Sequence, residues 1–192
     1  MNKLAAPTTI IHIPRGDVRI RPTRTDDASA YRALRLIGLR DYPEAFGADY
    51  ATNAARPIEY WQERMHSGAG SEHGITYVAD VVGELIGMTA LVRNDGAKMR
   101  HAGSIFSVYT RADWRGTGVA DALLAACVAY ARELGLRLVR LGVVTTNASA
   151  IRLYQRCGFS VYGVDPEAIQ HDGVYYDELL MARRVAGNKM TR

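Results

Sequence analysis

The chain has 192 residues, of which 48% are hydrophobic and 23% are charged, and its formal net charge is +4. This length suits one domain or two very small ones, and the apolar content can bury a core without cross-links. Two cysteines, Cys127 and Cys157, are too few for a disulfide framework or a cysteine-rich metal site and favour a reducing compartment. The basic residues are scattered, which argues against a nucleic-acid or membrane surface and points to an anionic ligand.

The two ends of the chain lack the patterning of its middle. Residues 1–16 show no clear period and no features of a secretion signal, so we expect a loosely held extension there. Residues 187–192 are expected to form a frayed tail. No run approaches the roughly 18 apolar residues of a membrane helix. We therefore expect a cytoplasmic protein with a single α/β domain over residues 17–186.

The first third of this domain predicts a strand followed by two helices. Val18–Arg21 alternates as a short strand. Thr25, followed by two aspartates, is a favourable N-cap for a helix whose apolar stripe begins at Tyr31. Residues 42–57 read as a loop, and residues 58–65 predict a second helix. Such a helix-loop-helix can form one wall of a site.

The middle of the chain predicts an antiparallel meander. Its three strands are rich in β-branched or aromatic residues and are separated by short polar segments: Ile75–Val82, Leu85–Val92 and Ser104–Thr110. A helix then follows from Val119 to Leu134, because apolar residues recur there at spacings of three and four, and Gly135 ends it.

The last part of the chain continues the alternation of strands and helices. Leu138–Val144 predicts a buried strand, and Ala148–Cys157 predicts a helix ended by a glycine. A strand beginning at Phe159 and a final strand over Val174–Met181 complete the domain.

The segment Arg115–Ala120, with the sequence RGTGVA, lies between a predicted strand and the strongly periodic helix. Glycines at this place let the backbone curl, so that free amide groups at the helix start converge on an anion such as a pyrophosphate. The segment lacks the Lys-Ser/Thr ending of a Walker loop and the third glycine of a dinucleotide fingerprint. An ordinary glycine-containing turn is the alternative.

Two motifs in this chain resemble the signatures of the GNAT superfamily of N-acetyltransferases. Val108–Ala120 resembles the family's acetyl-coenzyme A motif, Gln/Arg-x-x-Gly-x-Gly/Ala. Asn147–Tyr154 and then Cys157–Phe159 are similar to its second signature, an Asn after a strand, a Tyr on the next helix and a Gly-Phe at its end. The resemblance covers roughly residues 18–181 and is strongest over residues 104–159.

The resemblance implies a mixed, mostly antiparallel sheet flanked by helices, with a splayed parallel strand pair that binds the coenzyme. The pantetheine arm of acetyl-CoA would lie in the gap like an added strand. Arg111 is either a further phosphate contact or a solvated loop residue. The positions that correspond to the family's coenzyme-binding residues are Val108, Tyr109, Thr110, Arg115, Gly116, Thr117, Gly118, Val119, Ala120, Asp121, Asn147 and Ala150.

Asn147 and Tyr154 each have a structural interpretation beside the functional one. Asn147 is a favoured N-cap for the helix that follows it, and Tyr154 lies three residues after Ile151 on one helical face, as a core aromatic would. The resemblance implies that Asn147 binds the coenzyme and that Tyr154 is catalytic. A phenol with a pKa of about 10 stays protonated at neutral pH and can donate its proton to a departing thiolate.

The general base is left unassigned, because Ser104 stands where many members of the family have a glutamate. An alkylammonium with a pKa of about 10.4 must lose a proton before it attacks the acetyl group. Glu44 and Glu84 are candidates for binding the substrate amine, with simple solvent exposure as the alternative. The candidates for the base are Glu84, His101, Glu44 and one of Asp177 and Glu178.

Together these features predict an N-acetyltransferase that moves the acetyl group of acetyl-CoA to a primary amine of a small molecule or a peptide. We expect no metal cofactor, no nucleic-acid partner and no membrane partner. The resemblance leaves open whether the chain forms a homodimer. A non-catalytic acyl-CoA sensor is the main competing function, since the strand glutamate is missing, and a module that binds another nucleotide is the second.

Overall fold

The structure, a computed structural model, describes residues 6–67 and 73–185. These residues form one sheet of eight strands in the spatial order β1-β2-β3-β4-β5-β6-β8-β7. The strands are β1 (Thr9–Ile13), β2 (Gly16–Pro22), β3 (Gly74–Val81), β4 (Glu84–Arg93), β5 (Ala102–Thr110), β6 (Leu138–Val144), β7 (Ser160–His171) and β8 (Val174–Arg184). All neighbours pair antiparallel except β5 and β6, which are parallel. The predicted mixed and mostly antiparallel sheet is therefore confirmed.

The helices cover both faces of the sheet. They are α1 (Ala28–Asp41), α2 (Tyr50–Ala54), α3 (Ile58–Ser67), α4 (Val119–Glu133) and α5 (Ala148–Arg156). On one face α4 and α5 bury the larger core, in which Leu123 and Tyr154 pack against Val143 of β6. On the other face α1 and α3 bury a second core, in which Tyr31 and Trp61 pack against the sheet.

The start of the chain differs from the loose extension expected over residues 1–16. Residues 9–13 form β1, which pairs with β2 from Thr9 opposite Ile20 to Ile13 opposite Gly16. Ile11 and Ile13 pack against the larger core, and this burial holds the strand in place. The tail predicted at residues 187–192 lies outside the described residues.

The region between the first strand and the meander contains more helix than expected. Thr25 does not cap α1, because residues 25–27 form a turn of 3-10 helix before it. The predicted loop at 42–57 contains a second 3-10 turn, Pro43–Ala45, and the short helix α2. Asp49 caps α2 by accepting a hydrogen bond of 2.7 Å from the backbone N–H of Thr52.

A buried ion cluster fixes the start of α1 against the sheet. The Arg21 side chain, on β2, donates to Asp80 on β3 at 2.8 Å and to Asp27 at 2.6 and 2.8 Å. Burial by itself would raise the pKa of Asp27, but the hydrogen bonds from Arg21 and from the backbone N–H of Arg24 outweigh it, so the pKa is lowered. The cluster thus holds the first helix in register with β2 and β3.

Strands β5 and β6 diverge after a short contact. Their parallel register covers three pairs, from Ala102 opposite Leu138 to Ser104 opposite Arg140. Further along β5, Ser107 has a φ of 58° at an irregularity in the pairing with β4. This β-bulge bends β5 away from its neighbour and changes the direction of its backbone groups. The expected splayed strand pair is therefore present.

Candidate active site

A cavity of about 440 Å³ opens where β5 and β6 diverge. Its walls come from the ends of both strands, the glycine loop before α4, the start of α5 and the turn after α1. Most of the predicted site residues line it: Glu44, Val108, Tyr109, Thr110, Arg115, Gly116, Gly118, Val119, Ala120, Asp121, Asn147, Ala150 and Tyr154. The fold therefore brings both sequence motifs to one place, as expected for a ligand held between them.

The loop at the start of α4 has the backbone form that its glycines allow. Gly116 and Gly118 have φ values of 74° and 89°, and Gly118 is the N-cap of α4. A Cβ at either position would meet no atom within 4 Å, so the loop borders open space. The Thr117 hydroxyl donates to the carbonyl of Trp114 at 2.7 Å, which places this residue in support of the loop. Backbone N–H groups at such a helix start can bind a phosphate.

The two arginines of the first motif have different surroundings. Arg115 donates to the carbonyl of Thr110 at 3.2 Å and to the hydroxyl of Tyr42 at 2.8 Å, and its guanidinium stacks on the Tyr42 ring. It therefore joins the glycine loop to the turn after α1. Arg111 forms ion pairs with Glu84 and Asp113 outside the lining of the cavity, which favours the loop interpretation over a phosphate contact.

Glu84, one of the two carboxylates predicted to bind the substrate amine, lies at the beginning of β4. Its side chain is exposed and engaged by Arg111. Glu44 occupies the 3-10 turn after α1 and does line the cavity. Of the two acceptor candidates, the structure therefore brings only Glu44 to the site.

Asn147 caps α5 and also lines the cavity. Its Oδ1 accepts a hydrogen bond of 3.1 Å from the backbone N–H of Ala150 and one of 3.0 Å from the Ser149 hydroxyl. It is thus the N-cap of α5, as the sequence pattern indicates. The same side chain lines the cavity, so the cap also positions an amide at the site.

Tyr154 is a buried residue of α5 whose side chain lines the cavity. It is 7% exposed, and its ring packs edge-on against Phe159 with centroids 6.2 Å apart. Burial raises the pKa of its phenol, and Cys157 and Glu178 raise it further. The hydroxyl therefore remains protonated at neutral pH, which is the state required of a proton donor.

The base candidates are spread over several parts of the sheet. Ser104 lies in the short parallel ladder and His101 just before it, next to a separate surface pocket. Asp177 accepts the backbone N–H of Glu167 at 2.8 Å. The neighbouring Glu178 is half-buried, and its carboxylate lies beside β6 at the divergence of the strands.

Several residues that line the cavity carry no signal in the sequence motifs. Tyr42 and Phe46 flank Glu44 on the turn, and Gly142 lies on β6 opposite the first motif. Arg156, at the end of α5, also lines the cavity and is 3.2 Å from the carboxylate of Asp121. The position of Tyr42 and Phe46 next to a candidate carboxylate was the one available hint. Gly142 can be recognised as a cavity residue only from the arrangement of the strands in the sheet.

Two kinds of feature are absent from the part of the chain that the structure describes. Over residues 6–67 and 73–185 no three His, Cys, Asp or Glu side chains lie together as a metal site would require. Over the same ranges no helix has the length and apolar character needed to cross a membrane.

Comparison with known proteins places these features among acetyltransferases. Residues 34–159 match the model of the Acetyltransferase (GNAT) family. Over 156 residues the chain is 31% identical to mycothiol acetyltransferase from Propionibacterium freudenreichii subsp. shermanii, with 80% of the chain and 46% of that protein covered. The chain thus spans about half of that relative.

Two further known proteins match this chain over nearly their whole length. The chain is 27% identical over 169 residues to the L-amino acid N-acetyltransferase AaaT of Escherichia coli K12, covering 87% of this chain and 98% of that protein. Its structure is similar to that of YncA from Salmonella typhimurium, a putative acetyltransferase solved with its cofactor acetyl-CoA. The TM-score is 0.78 at 19% identity, with 91% of this chain and 98% of that chain covered, which shows a shared fold.

Proposed function

Because this chain belongs to the acetyltransferase (GNAT) family, we propose that it transfers the acetyl group of acetyl-CoA to a primary amine of a small molecule or a peptide. The observation that carries this proposal is the meeting of the glycine loop, Asn147 and Tyr154 in one cavity between diverging strands. The named relatives, a mycothiol acetyltransferase and an L-amino acid N-acetyltransferase, support a small-molecule acceptor.

The residues of the cavity fit acetyl-CoA. The pyrophosphate would accept hydrogen bonds from the backbone N–H groups of residues 116–121, helped by the positive end of the α4 dipole. The pantetheine arm would pair with backbone groups of Val108 and Thr110, which line the cavity where β5 has left β6. The amide of Asn147 would contact the same arm from the opposite wall.

The proposed reaction is a direct attack of the neutral amine on the acetyl carbonyl. As the nitrogen–carbon bond forms, the negative charge on the carbonyl oxygen would be stabilised by a backbone N–H near Val108 or Tyr109. The carbon–sulfur bond then breaks, and Tyr154 donates its proton to the leaving thiolate. Its protonated, buried state and its place in the cavity wall support this role.

Glu44 supports an amine as the acceptor. It lines the cavity from the turn after α1, which Arg115 joins to the glycine loop. A carboxylate there would attract an ammonium group through a charge-assisted hydrogen bond. We propose that Glu44 helps to bind the acceptor amine.

A non-catalytic acyl-CoA sensor would use the same cavity without turnover. The placement of Tyr154 in the cavity favours the enzyme, because coenzyme binding alone does not require a buried proton donor. Calorimetry with acetyl-CoA and a thiol-release assay over a panel of amino acids, polyamines, aminoglycosides and peptide N-termini separate the two. The enzyme binds acetyl-CoA and releases thiol with at least one amine, whereas binding without release across the panel would identify a sensor. Absence of binding would contradict both functions.

A further inference from the structure

Strand β8 directs one carboxylate toward the face of the sheet on which an acceptor would approach. Leu179 and Met181 pack into the core under α4 and α5. Successive side chains of a strand point to opposite faces, so Glu178 and Leu180 point to the other face. The 3-10 turn Pro43–Ala45 packs on that face, where it contacts β6 and β7 and forms part of the cavity wall.

Gly142 of β6 makes the space that the Glu178 carboxylate occupies. A Cβ placed on Gly142 would lie 2.3 Å from Oε2 of Glu178 and 3.0 Å from its Cδ, both far closer than van der Waals contact. The backbone of Gly142 does not have the positive φ that would itself call for glycine. Gly142 lines the cavity and Glu178 does not, so the carboxylate lies at the edge of the cavity, in the space that a side chain at position 142 would occupy.

The surroundings of Glu178 disfavour the ionised form of its carboxyl group. Burial raises the pKa of the carboxyl group, and Asp165, which is opposite on β7, raises it further. Glu44 lines the cavity from the turn that contacts β6 and β7 on this face. A half-buried carboxylate among other acids is stabilised by a cation or by a proton. An ammonium group can supply both in turn.

Glu178 and Tyr154 lie on opposite faces of the sheet at the same point. Tyr154 belongs to α5 and packs in the core with Val143, whereas Glu178 is paired opposite Val144 and points to the other face. The two groups are close enough for Glu178 to contribute to the raised pKa of the Tyr154 phenol, after burial and Cys157. A thioester placed between the diverging strands would thus have a proton donor on one side and a carboxylate on the other.

We propose that Glu178 binds the acceptor ammonium group at the cavity edge and accepts its proton, an inference that rests on the acetyl transfer proposed above. One ammonium proton passes to the Glu178 carboxylate and from there to solvent. The neutral nitrogen forms its bond to the acetyl carbon, and the carbon–sulfur bond then breaks. The thiolate takes the hydroxyl proton of Tyr154. The nitrogen then loses its second proton, which restores the Tyr154 hydroxyl.

The first test compares Glu178→Gln with Asp177→Asn. Both changes remove one carboxylate from β8, but Asp177 is held by the backbone N–H of Glu167. With the best acceptor of the amine panel, E178Q lowers kcat/KM by about 100-fold or more, whereas D177N stays near wild type. Calorimetry with acetyl-CoA gives the same affinity for all three proteins, because Glu178 is not among the residues proposed to contact the coenzyme.

Two readouts separate proton transfer from a merely structural role. In the wild type, kcat/KM falls as the pH is lowered through the pKa of Glu178, which interacts with Asp165 on β7 and with the Tyr154 phenol. E178Q loses this acidic limb. A weakly basic arylamine, already neutral at pH 7, needs no base. With such an acceptor the loss caused by E178Q shrinks to less than about tenfold.

A second variant tests the same inference without changing the carboxylate itself. Gly142→Ala forces the Glu178 side chain away from the cavity, so its kcat/KM for alkylamines falls in the same direction as in E178Q. Full activity and an unchanged pH profile in both variants would overturn the role of Glu178 and leave the acetyltransferase proposal intact. A wild-type protein that binds acetyl-CoA but releases no thiol with any amine would overturn both proposals.

Discussion

Replacing Tyr154 by phenylalanine removes one hydroxyl group and keeps the buried ring in place. The ring is 7% exposed and rests against Phe159, and phenylalanine has the same shape, so the free energy of unfolding changes by at most about 1.5 kcal/mol. In the proposed reaction, the proton donor to the leaving thiolate is lost. General acid catalysis contributes about 100- to 10,000-fold, and kcat falls by that factor, which corresponds to about 2.7–5.5 kcal/mol in the transition state.

Thiol release at saturating acetyl-CoA measures this loss, and calorimetry measures coenzyme affinity in parallel. Acetyl-CoA affinity stays within about twofold of wild type, because the proposed coenzyme contacts are made by the backbone and by Asn147. Tyr162→Phe is the matched control, since Tyr162 is 57% exposed on β7 and lies outside the cavity lining. Its kcat and affinity remain those of the wild type.

A second measurement identifies the step in which Tyr154 takes part. An acetyl thioester of an aromatic thiol has a leaving group that needs less protonation, so Tyr154→Phe loses less activity with it than with an alkyl thioester. Full activity of the variant with acetyl-CoA would refute the general-acid role. An equal loss with both thioesters would assign the hydroxyl to another step.

Three further predictions concern stability, the glycine loop and thiol reactivity. Asp27→Asn lowers the free energy of unfolding, measured with denaturant, by about 3 kcal/mol, whereas Asp26→Asn, at an exposed position, changes it little. Folding lowers the pKa of Asp27, so its carboxylate stabilises the fold above the unfolded pKa of about 3.9. This stabilisation is lost as the pH falls through the pKa of the folded state. Gly118→Ala and Gly173→Ala, with φ values of 89° and 79°, each cost about 1–2 kcal/mol, but calorimetry detects weaker acetyl-CoA binding only for Gly118→Ala. Burial raises the pKa of Cys127 to about 12, so mass spectrometry finds it alkylated only after unfolding. The first prediction is wrong if the Asp26 and Asp27 variants lose equal stability. The second is wrong if the two glycine variants bind acetyl-CoA with equal affinity, and the third is wrong if Cys127 is alkylated in the native protein.

Local sequence was sufficient where structure depends on neighbours along the chain. The spacing of apolar residues predicts α4 because one buried stripe repeats with the period of a helix. Asn147 at the start of α5 is an N-cap in the structure because its side chain reaches an amide three residues on. The meander β3 to β5 follows from alternating apolar strands and short polar connections.

Prediction failed where an element depends on distant partners. Residues 9–13 show no pattern of their own and become a strand because β2 and the core beneath it supply hydrogen bonds and apolar contacts. For Arg111 the sequence leaves two interpretations open, and only the fold shows that the distant Glu84 engages it. The core contacts of β1 and the pair Arg111–Glu84 join residues that are far apart in sequence, and periodicity does not report them.

The sequence by itself determined the order of the elements, the glycine loop at a helix start and the identity of the family, because all three depend on the spacing of residues that are close together in the chain. On the last strand it left Asp177 and Glu178 open as candidates for the base, since alternation sends the two to opposite faces without saying which face borders the site. Only the tertiary structure decided that question. Strand β6 places Gly142 where the carboxylate of Glu178 needs room, and the divergence of β5 from β6 turns that point into the edge of a cavity.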